Sequence, residues 1–320
     1  MIHGELAEVV DRREAARGHV RMKLRAPRLA AQGLPGQFVN VRCGPLDFSA
    51  TVHEDWESLR AARSARPNDP TRALLMRPFA IHRRWTTGRD AGCIEILFKV
   101  VGRGTTALAQ VKAGASVQLL GPLGCGFDLA WCRRLSSAAV VAGGVGLAPL
   151  FPLVEYLRQH DVDTRVRVGA MTEAELPLES ADSRVTLSFM ATHPEATLTA
   201  REFQRMGCTV GIVTMSGEKG YIGLPTDMFD RYLHWTDGGA RGEAGVFTCG
   251  PWAMMREVAR HAREHDLRCQ VLLEERMGCG MGACMACACR VRGADGTTVR
   301  KRVCVDGPVF EASEVIWDEE

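Results

Sequence analysis

The sequence predicts a multi-domain β plus α/β chain in three parts, and three observations carry that expectation. At 320 residues the chain is long for a single hydrophobic core. Residues 1–132 offer short apolar runs punctuated by glycine and proline, whereas strands and helical segments alternate after about residue 136. The first pattern is that of antiparallel strands, the second that of a parallel sheet covered on both faces. Five of the twelve cysteines then crowd the last fifty residues.

In chain order, the clearest strands of the first part are 19–26, 37–43, 94–100 and 116–121, and "MRPFAI" (76–81) adds another. The polar, Arg-rich stretch 51–73 reads as an excursion or short helix with a solvated tip. In the second part, 138–142 is a short buried strand whose "GGVGLAP" turn leads into an amphipathic helix over 150–160. Strands follow at 165–171, 184–191 and 210–215. A further strand in 244–251 runs into a helix over 252–265, and "RCQVLLEE" (268–275) precedes the cysteine-rich tail. No internal repeat, low-complexity tract or Ser/Gly linker separates the parts, so they are expected to pack closely.

Composition excludes several classes. Hydrophobic residues at 46% and charged residues at 24% are ordinary for a globular protein. A net charge of +2 leaves no basic stripe for nucleic acid. No apolar run approaches the roughly 18 residues of a membrane span. The N-terminal "MIHGELAEVVDRREAARG" lacks the apolar core of a signal peptide. A cytoplasmic location is therefore expected, where thiols stay reduced and disulfides are disfavoured.

Cys279, Cys284, Cys287 and Cys304 are spaced C-x4-C-x2-C-x16-C, and the first three match the plant-type pattern of [2Fe–2S] ligation. A loop around a cluster must bend tightly, and Gly278, Gly280 and Gly282 supply that freedom. A zinc site prefers two short cysteine pairs on separate knuckles. Zinc, or unligated thiols, stays the alternative. Cys289, two positions past Cys287 on an onward strand, reads as a buried spectator.

Two nucleotide signatures lie upstream. "AGGVGLAPL" follows a strand and opens a helix, the setting of a pyrophosphate cradle. Pro149 replaces the third glycine of the dinucleotide fingerprint, and a plain strand-to-helix turn is the alternative. "TCGP" (248–251) lies at the same sheet edge, where α/β sheets bind ligands. In the β part, Arg77 could pair with a phosphate, and Gly104 with Thr105 could donate to another part of a diphosphate. An ordinary strand end and glycine turn would look the same. Histidines such as His53 and His82 read as surface or satisfied residues.

The order of "PGQFV", "RPFAI", "GRGT", "LGPLGCGF", "GGVGLAP" and "CGP" resembles the ferredoxin–NADP reductase superfamily. With "ERMGCGMGACMACACRV" and "RVCVDGPVF" the resemblance narrows to the electron-transfer subunits of class 1B, NAD-dependent dihydroorotate dehydrogenase, the PyrK family. It spans nearly the whole chain. It implies an FAD-binding antiparallel β-barrel over 1–132, a Rossmann-like NAD domain over 133–266 and a small [2Fe–2S] domain over 267–320.

It further implies FAD contacts at Arg77, Pro78, Phe79, Ala80, Leu97, Phe98, Lys99, Gly104 and Thr105. Gly144, Gly146, Pro149, Cys249, Gly250 and Pro251 match the nicotinamide nucleotide side, and Cys279, Cys284, Cys287 and Cys304 the cluster ligands. Ala80 stands where many relatives carry serine, which implies altered flavin tuning. NAD rather than NADP rests on the resemblance alone.

Nothing here resembles the FMN-bearing (β/α)₈ barrel that oxidises dihydroorotate. The resemblance therefore implies an FMN-containing catalytic partner, in a two-plus-two heterotetramer. The transfer order it implies is partner FMN, [2Fe–2S] cluster, FAD and then NAD⁺, with the cysteine loop beside the partner. No acid–base dyad is required, and Cys249 is the one weak candidate for a direct role. The other readings are a reductase subunit serving a hydrogenase, a bifurcating transhydrogenase or an oxygenase, and a zinc-stabilised binding protein on a degenerate scaffold.

Overall fold

The structure, a computed structural model, describes residues 2–43, 75–178, 201–227, 229 and 243–317. The stretch 51–73, His53 and the strand expected over 184–191 lie outside the described residues.

Six strands close the N-terminal barrel: β1 (His3–Ala16), β2 (His19–Arg25), β3 (Phe38–Val41), β4 (Arg77–Trp85), β5 (Cys93–Lys99) and β6 (Ser116–Leu123). Their order is β1-β2-β5-β4-β3-β6, every neighbour antiparallel. Side chains alternate across a strand, so Val20, Met22 and Leu24 of β2 meet Ile94, Ile96 and Phe98 of β5 inside the barrel. β1 escapes the sequence pattern. It carries six charged residues among its 14 and buries only Ala7 and Val9 fully. Its place comes from backbone pairing with both β2 and β6, which removes the barrel's open edge.

Helix α1 (Pro27–Gln32) opens with proline at its first position and buries Leu29 and Ala30. The segment expected as a glycine turn at 101–108 is instead the start of helix α2 (Arg103–Ala109), with Gly102 as its N-cap.

The second layer is a seven-stranded, mostly parallel sheet. Its strands are β7 (Ser137–Gly143), β8 (Asp163–Ala170), β9 (Thr209–Thr214), β10 (Tyr221–Ile222), β11 (Ala244–Cys249), β12 (Arg268–Leu272) and β15 (Val309–Glu311). Their order is β10-β9-β8-β7-β11-β12-β15, and β15 alone among them pairs antiparallel. The strand order reverses between β7 and β11, which makes their C-terminal ends the natural ligand crevice. Helix α3 (Leu147–Gln159) buries nine of its residues between sheet and barrel. Helix α4 (Trp252–Glu264) buries Met255, Val258, Ala259 and Ala262, one stripe at helical spacing.

The tail forms a hairpin of β13 (Ala288–Arg292) and β14 (Thr298–Arg302), then returns to the sheet as β15. Cys287, Cys289, Val291 and Cys304 share one apolar core with Met255, Val258 and Val271. The cysteine segment is thus packed on the α/β layer. Among the described residues no helix is long and apolar enough to cross a membrane.

A buried polar layer joins barrel to sheet. Arg21 of β2 pairs with Glu202 and donates to Pro177 O at 3.0 Å, while Arg83 Nη2 lies 3.2 Å from the same carboxylate. Removing one partner of a buried pair strands the other charge. Glu202→Leu is therefore expected to lower unfolding free energy by about 3–5 kcal/mol, read from a denaturant titration. A change within about 0.5 kcal/mol would mean that the pair behaves as a surface one.

Candidate functional site

A cleft of about 360 Å³ opens where the three parts meet. Arg77, Pro78, Phe79 and Ala80 of β4 and Leu97, Phe98 and Lys99 of β5 form its barrel wall, with Val101 and Thr105 beside them. Val145, Ala148 and Pro149 face them from the start of α3, and Leu272–Glu275 close the far side. Met277 and Pro308 reach in from the tail.

Arg77 is held by its own strand's entry: Nη1 donates to Leu75 O at 2.8 Å and Met76 O at 3.3 Å. Gly104 is buried behind it, and a Cβ there would sit 3.3 Å from Arg77 Nε. Glycine at 104 thus makes room for the guanidinium rather than lining the cleft. Phe79 and Phe98 stack at 5.1 Å between ring centroids and stiffen this wall. Thr105 Oγ1 accepts from the N–H groups of Val101 and Gly102 and donates to Gly102 O. Its hydroxyl is spent on capping α2, so its direct contribution to the cleft is its methyl side and the turn it fixes. The wall offers the Arg77 guanidinium, with Lys99 beside it, and an apolar surface, a donor set that fits a flavin dinucleotide.

The two glycine segments, a hundred residues apart in sequence, lie back to back at the ends of β7 and β11. A Cβ on Gly146 would meet Cys249 O at 2.4 Å, and one on Gly143 would meet Pro251 Cδ at 2.5 Å. Gly250 has φ +154° and lies as close to Gly143, while Gly144, at φ +53°, faces open space. Of the nucleotide-side candidates only Pro149 lines the cleft; Gly144, Gly146, Cys249, Gly250 and Pro251 stand behind it at the sheet edge.

Cys249 is completely buried, and burial followed by Glu274 pushes its thiol well above the usual range. Its Sγ lies 3.9 Å from Glu274 Oε1. Glu274 lines the cleft, and burial raises its carboxyl pKa too. Sequence reasoning passed over Glu274; an acidic pair closing the apolar strand "QVLLEE" was the available signal.

In the cysteine loop, backbone N–H groups point at sulfur. Cys279 Sγ accepts from Met281 N at 3.4 Å and Ala283 N at 3.2 Å, and Cys284 Sγ accepts from Cys279 N at 3.4 Å. The N–H of Met281, followed by hydrogen bonds with Cys284 and the N–H of Ala283, holds the Cys279 thiol down to about 6. Amide N–H groups aimed at a cysteine sulfur suit a cysteine-ligated cluster, whereas burial, with Cys287 beside it, pushes the Cys304 thiol up to about 12. Cys287 and Cys304 are buried and hydrogen-bonded to each other. Cys284 is exposed, as are Met281 and Met285. Cys289 faces the apolar core beside Val291, and burial raises its thiol to about 11. Among the described residues no three His, Cys, Asp or Glu side chains surround a single-ion site.

The loop is tied to the barrel through a residue that the sequence did not flag. Asn40 pairs across β3 with Pro78 of the cleft wall, and its Nδ2 donates to Cys279 O at 3.1 Å. Gly280 permits this approach: its φ is +71°, and a Cβ would fall 2.2 Å from Asn40 Nδ2. Gly280→Ala combines a left-handed backbone with a clash, a strain of about 1–3 kcal/mol. The variant is expected to bind less iron while keeping its flavin, read by metal and flavin analysis. Unchanged iron content would release Asn40 from this role.

The iron–sulfur cluster binding domain of dihydroorotate dehydrogenase B matches residues 274–316. The dihydroorotate dehydrogenase B (NAD⁺) electron transfer subunit of Desulforamulus reducens is 35% identical, with 93% of this chain and 92% of that protein covered. Its counterpart in Bacillus caldolyticus is 33% identical over 93% of this chain and 99% of that protein. Among solved structures, an NADH-dependent reduced ferredoxin–NADP oxidoreductase studied for flavin-based bifurcation aligns with a TM-score of 0.69 at 24% identity, covering 98% of this chain and 91% of that one. The ferredoxin reductase of carbazole 1,9a-dioxygenase aligns at 0.56 and 20% identity, covering 83% and 67%. At these identities the structural likenesses speak for the fold.

Proposed function

The chain belongs to the family of dihydroorotate dehydrogenase B (NAD⁺) electron transfer subunits, and from that premise we propose how its residues divide the work. It is an oxidoreductase subunit that handles FAD, NAD and an iron–sulfur cluster, not a stand-alone dehydrogenase. Residues 1–132 form the FAD domain, 133–266 the Rossmann-like NAD domain and 267–320 the [2Fe–2S] domain.

Arg77 neutralises the FAD diphosphate, while Pro78, Phe79, Ala80 and Leu97–Lys99 shape the flavin wall. Gly104 and Thr105 fix the turn beside it. Gly144, Gly146 and Pro149, with Cys249, Gly250 and Pro251, keep the sheet edge open for the nicotinamide nucleotide. Cys279, Cys284, Cys287 and Cys304 hold the cluster, and the amides of Met281 and Ala283 offset its negative charge. When bound, the cluster supplies one-electron steps and FAD supplies both one- and two-electron steps, so flavin has to lie between cluster and nicotinamide. The chain's own task is to hold those groups apart at fixed distances and to keep water from the cleft.

The partner is an FMN-containing catalytic subunit that oxidises dihydroorotate in pyrimidine biosynthesis, joined two plus two in the cytoplasm. Exposed Met281 and Met285 beside Cys284 suit a surface that docks against it. The observation that carries this reading is the single cleft in which β4, β5, the start of α3 and the cysteine-bearing tail converge.

The test is reconstitution. The full chain, mixed with an FMN-bearing dihydroorotate-oxidising subunit, is expected to yield dihydroorotate-dependent NAD⁺ reduction that neither protein gives alone. Stable assembly with a hydrogenase, and none with the FMN protein, would overturn the pyrimidine role.

A further inference from the structure

We propose that His82 is a positioning residue that sets the width of the cleft, because it supplies the hydrogen bond that Pro152 denies to the α3 backbone. The proposal rests on the reading of this cleft as the meeting place of flavin and nicotinamide.

The two ends of the contact lie on opposite walls. His82 follows Ala80 by two residues on β4, at the point where the register against β5 shifts between Ile81 and Arg83. Ala80 lines the cleft. Ala148 lies in the first turn of α3, and with Pro149 it lines the facing wall. His82 Nδ1 is 3.1 Å from Ala148 O.

In an α-helix the Ala148 carbonyl would accept from the N–H of residue 152. That residue is proline and has no N–H to give. Ala148 is buried, so water cannot serve instead, and an unpaired buried carbonyl is costly. His82 fills the gap from another domain. A proline that breaks the helix ladder and a histidine that mends it, bonded to a carbonyl 66 residues away in sequence, together make one joint.

The chemistry of the joint fixes the ring. A carbonyl only accepts, so the proton sits on Nδ1 and Nε2 carries a lone pair. The ring packs at a tilt against Phe151, 4.9 Å between centroids. Burial is the main force that keeps it neutral, with Arg21 of β2, Arg83 of β4 and Arg13 of β1 adding to it. On the acidic side, Glu95 Oε1 of β5 stands 3.9 Å from Nε2. Glu202 is taken up by Arg21 and Arg83, and burial raises the carboxyls of Glu95 and of Glu155 on α3. The ring is a fixed donor whose length separates β4 from α3.

Hydride transfer is sensitive to such a spacing, since a misplacement of about 1 Å can cost on the order of a hundredfold in rate. Three measurements on the full chain test the proposal. In the ¹⁵N-histidine-labelled protein, the signal lost in His82→Asn is expected to show an Nδ1–H tautomer that does not titrate through the ordinary value of 6.5. An Nε2–H tautomer, or ordinary titration, overturns the contact whether or not the flavin reading stands.

With FAD bound, His82→Leu is expected to slow flavin reduction by NADH by roughly ten- to a hundredfold with little change in NADH affinity. His82→Asn, which keeps an N–H near the Nδ1 position, is expected to regain most of that rate. If Leu and Asn behave alike, the donor is irrelevant and the proposal fails. Pro152→Ala gives Ala148 a helical donor without touching His82 or the cleft. It is expected to shift the His82 signal and slow hydride transfer in a protein at least as stable as the parent. An unchanged His82 signal in that variant overturns the proposal. A chain that binds no FAD overturns the reading of the cleft, and the tautomer measurement still decides the joint.

Discussion

Cys284→Ser is expected to empty the chain of iron while leaving its flavin in place. Cys284 is exposed at the tip of the loop, and its sulfur receives the N–H of Cys279 at 3.4 Å. Serine keeps the size of the side chain but replaces a soft thiolate with a hydroxyl that iron–sulfur chemistry does not favour. Loss of an outer partner alone commonly costs roughly 10–100-fold in metal affinity, and loss of a ligand costs more. Cys284 does not line the cleft, so FAD content and NADH oxidation by an artificial acceptor are expected to persist. Transfer from the FMN partner is expected to vanish. Cys289→Ser is the matched control: its thiol faces the apolar core beside Val291, so iron is expected to stay while stability falls by about 1–3 kcal/mol. Iron loss in the control with retention in Cys284→Ser would reverse the ligand assignment.

The second large effect is expected at Arg77. Its guanidinium is held over the cleft by Leu75 O and Met76 O and given space by Gly104. Hydrogen bonds to a charged group are worth about 1.5–3 kcal/mol. Arg77→Ala should therefore weaken FAD binding by roughly 10–150-fold, and the purified variant should be pale in flavin but normal in iron. Arg77→Lys keeps the charge without the planar fork, so it is expected to recover only part of the loss. Dialysis followed by flavin quantitation reads the result. A variant that retains flavin like the parent would show that the diphosphate is held elsewhere.

How much of this was legible in the sequence follows from the range of each signal. The strands β2, β5, β6, β7 and β11 announced themselves because apolar period, glycine and proline are local. The cysteine loop was legible for the same reason: three of its thiols fall within nine residues. β1 was not, since charged residues interrupt its apolar pattern and its role is to pair its backbone on both edges. β13 was anticipated as the strand carrying Cys289, but its hairpin partner β14 was missed, and so was the return of β15, whose partner β12 lies some forty residues upstream.

The same divide runs through the site. "GGVGLAP" and "CGP" were each weak signals, and only the 2.4 Å approach of a Gly146 Cβ to Cys249 O explains why both must be so small. Asn40, His82 and Glu274 carry no motif at all. Each matters through one contact, with Cys279 O, Ala148 O and the Cys249 thiol respectively. Thr105 is the converse case. The residue was singled out as a donor to a diphosphate; it lines the cleft, but its hydroxyl is used to cap α2.

The proposed residue roles require one chain to hold flavin and an iron–sulfur cluster around a common cleft. Anaerobic purification followed by an absorption spectrum and metal analysis tests it most directly. The expected result is superimposed flavin and iron–sulfur bands, one FAD and about two iron atoms per chain, and bleaching of the flavin by NADH. A colourless protein carrying one zinc ion and no flavin would contradict it.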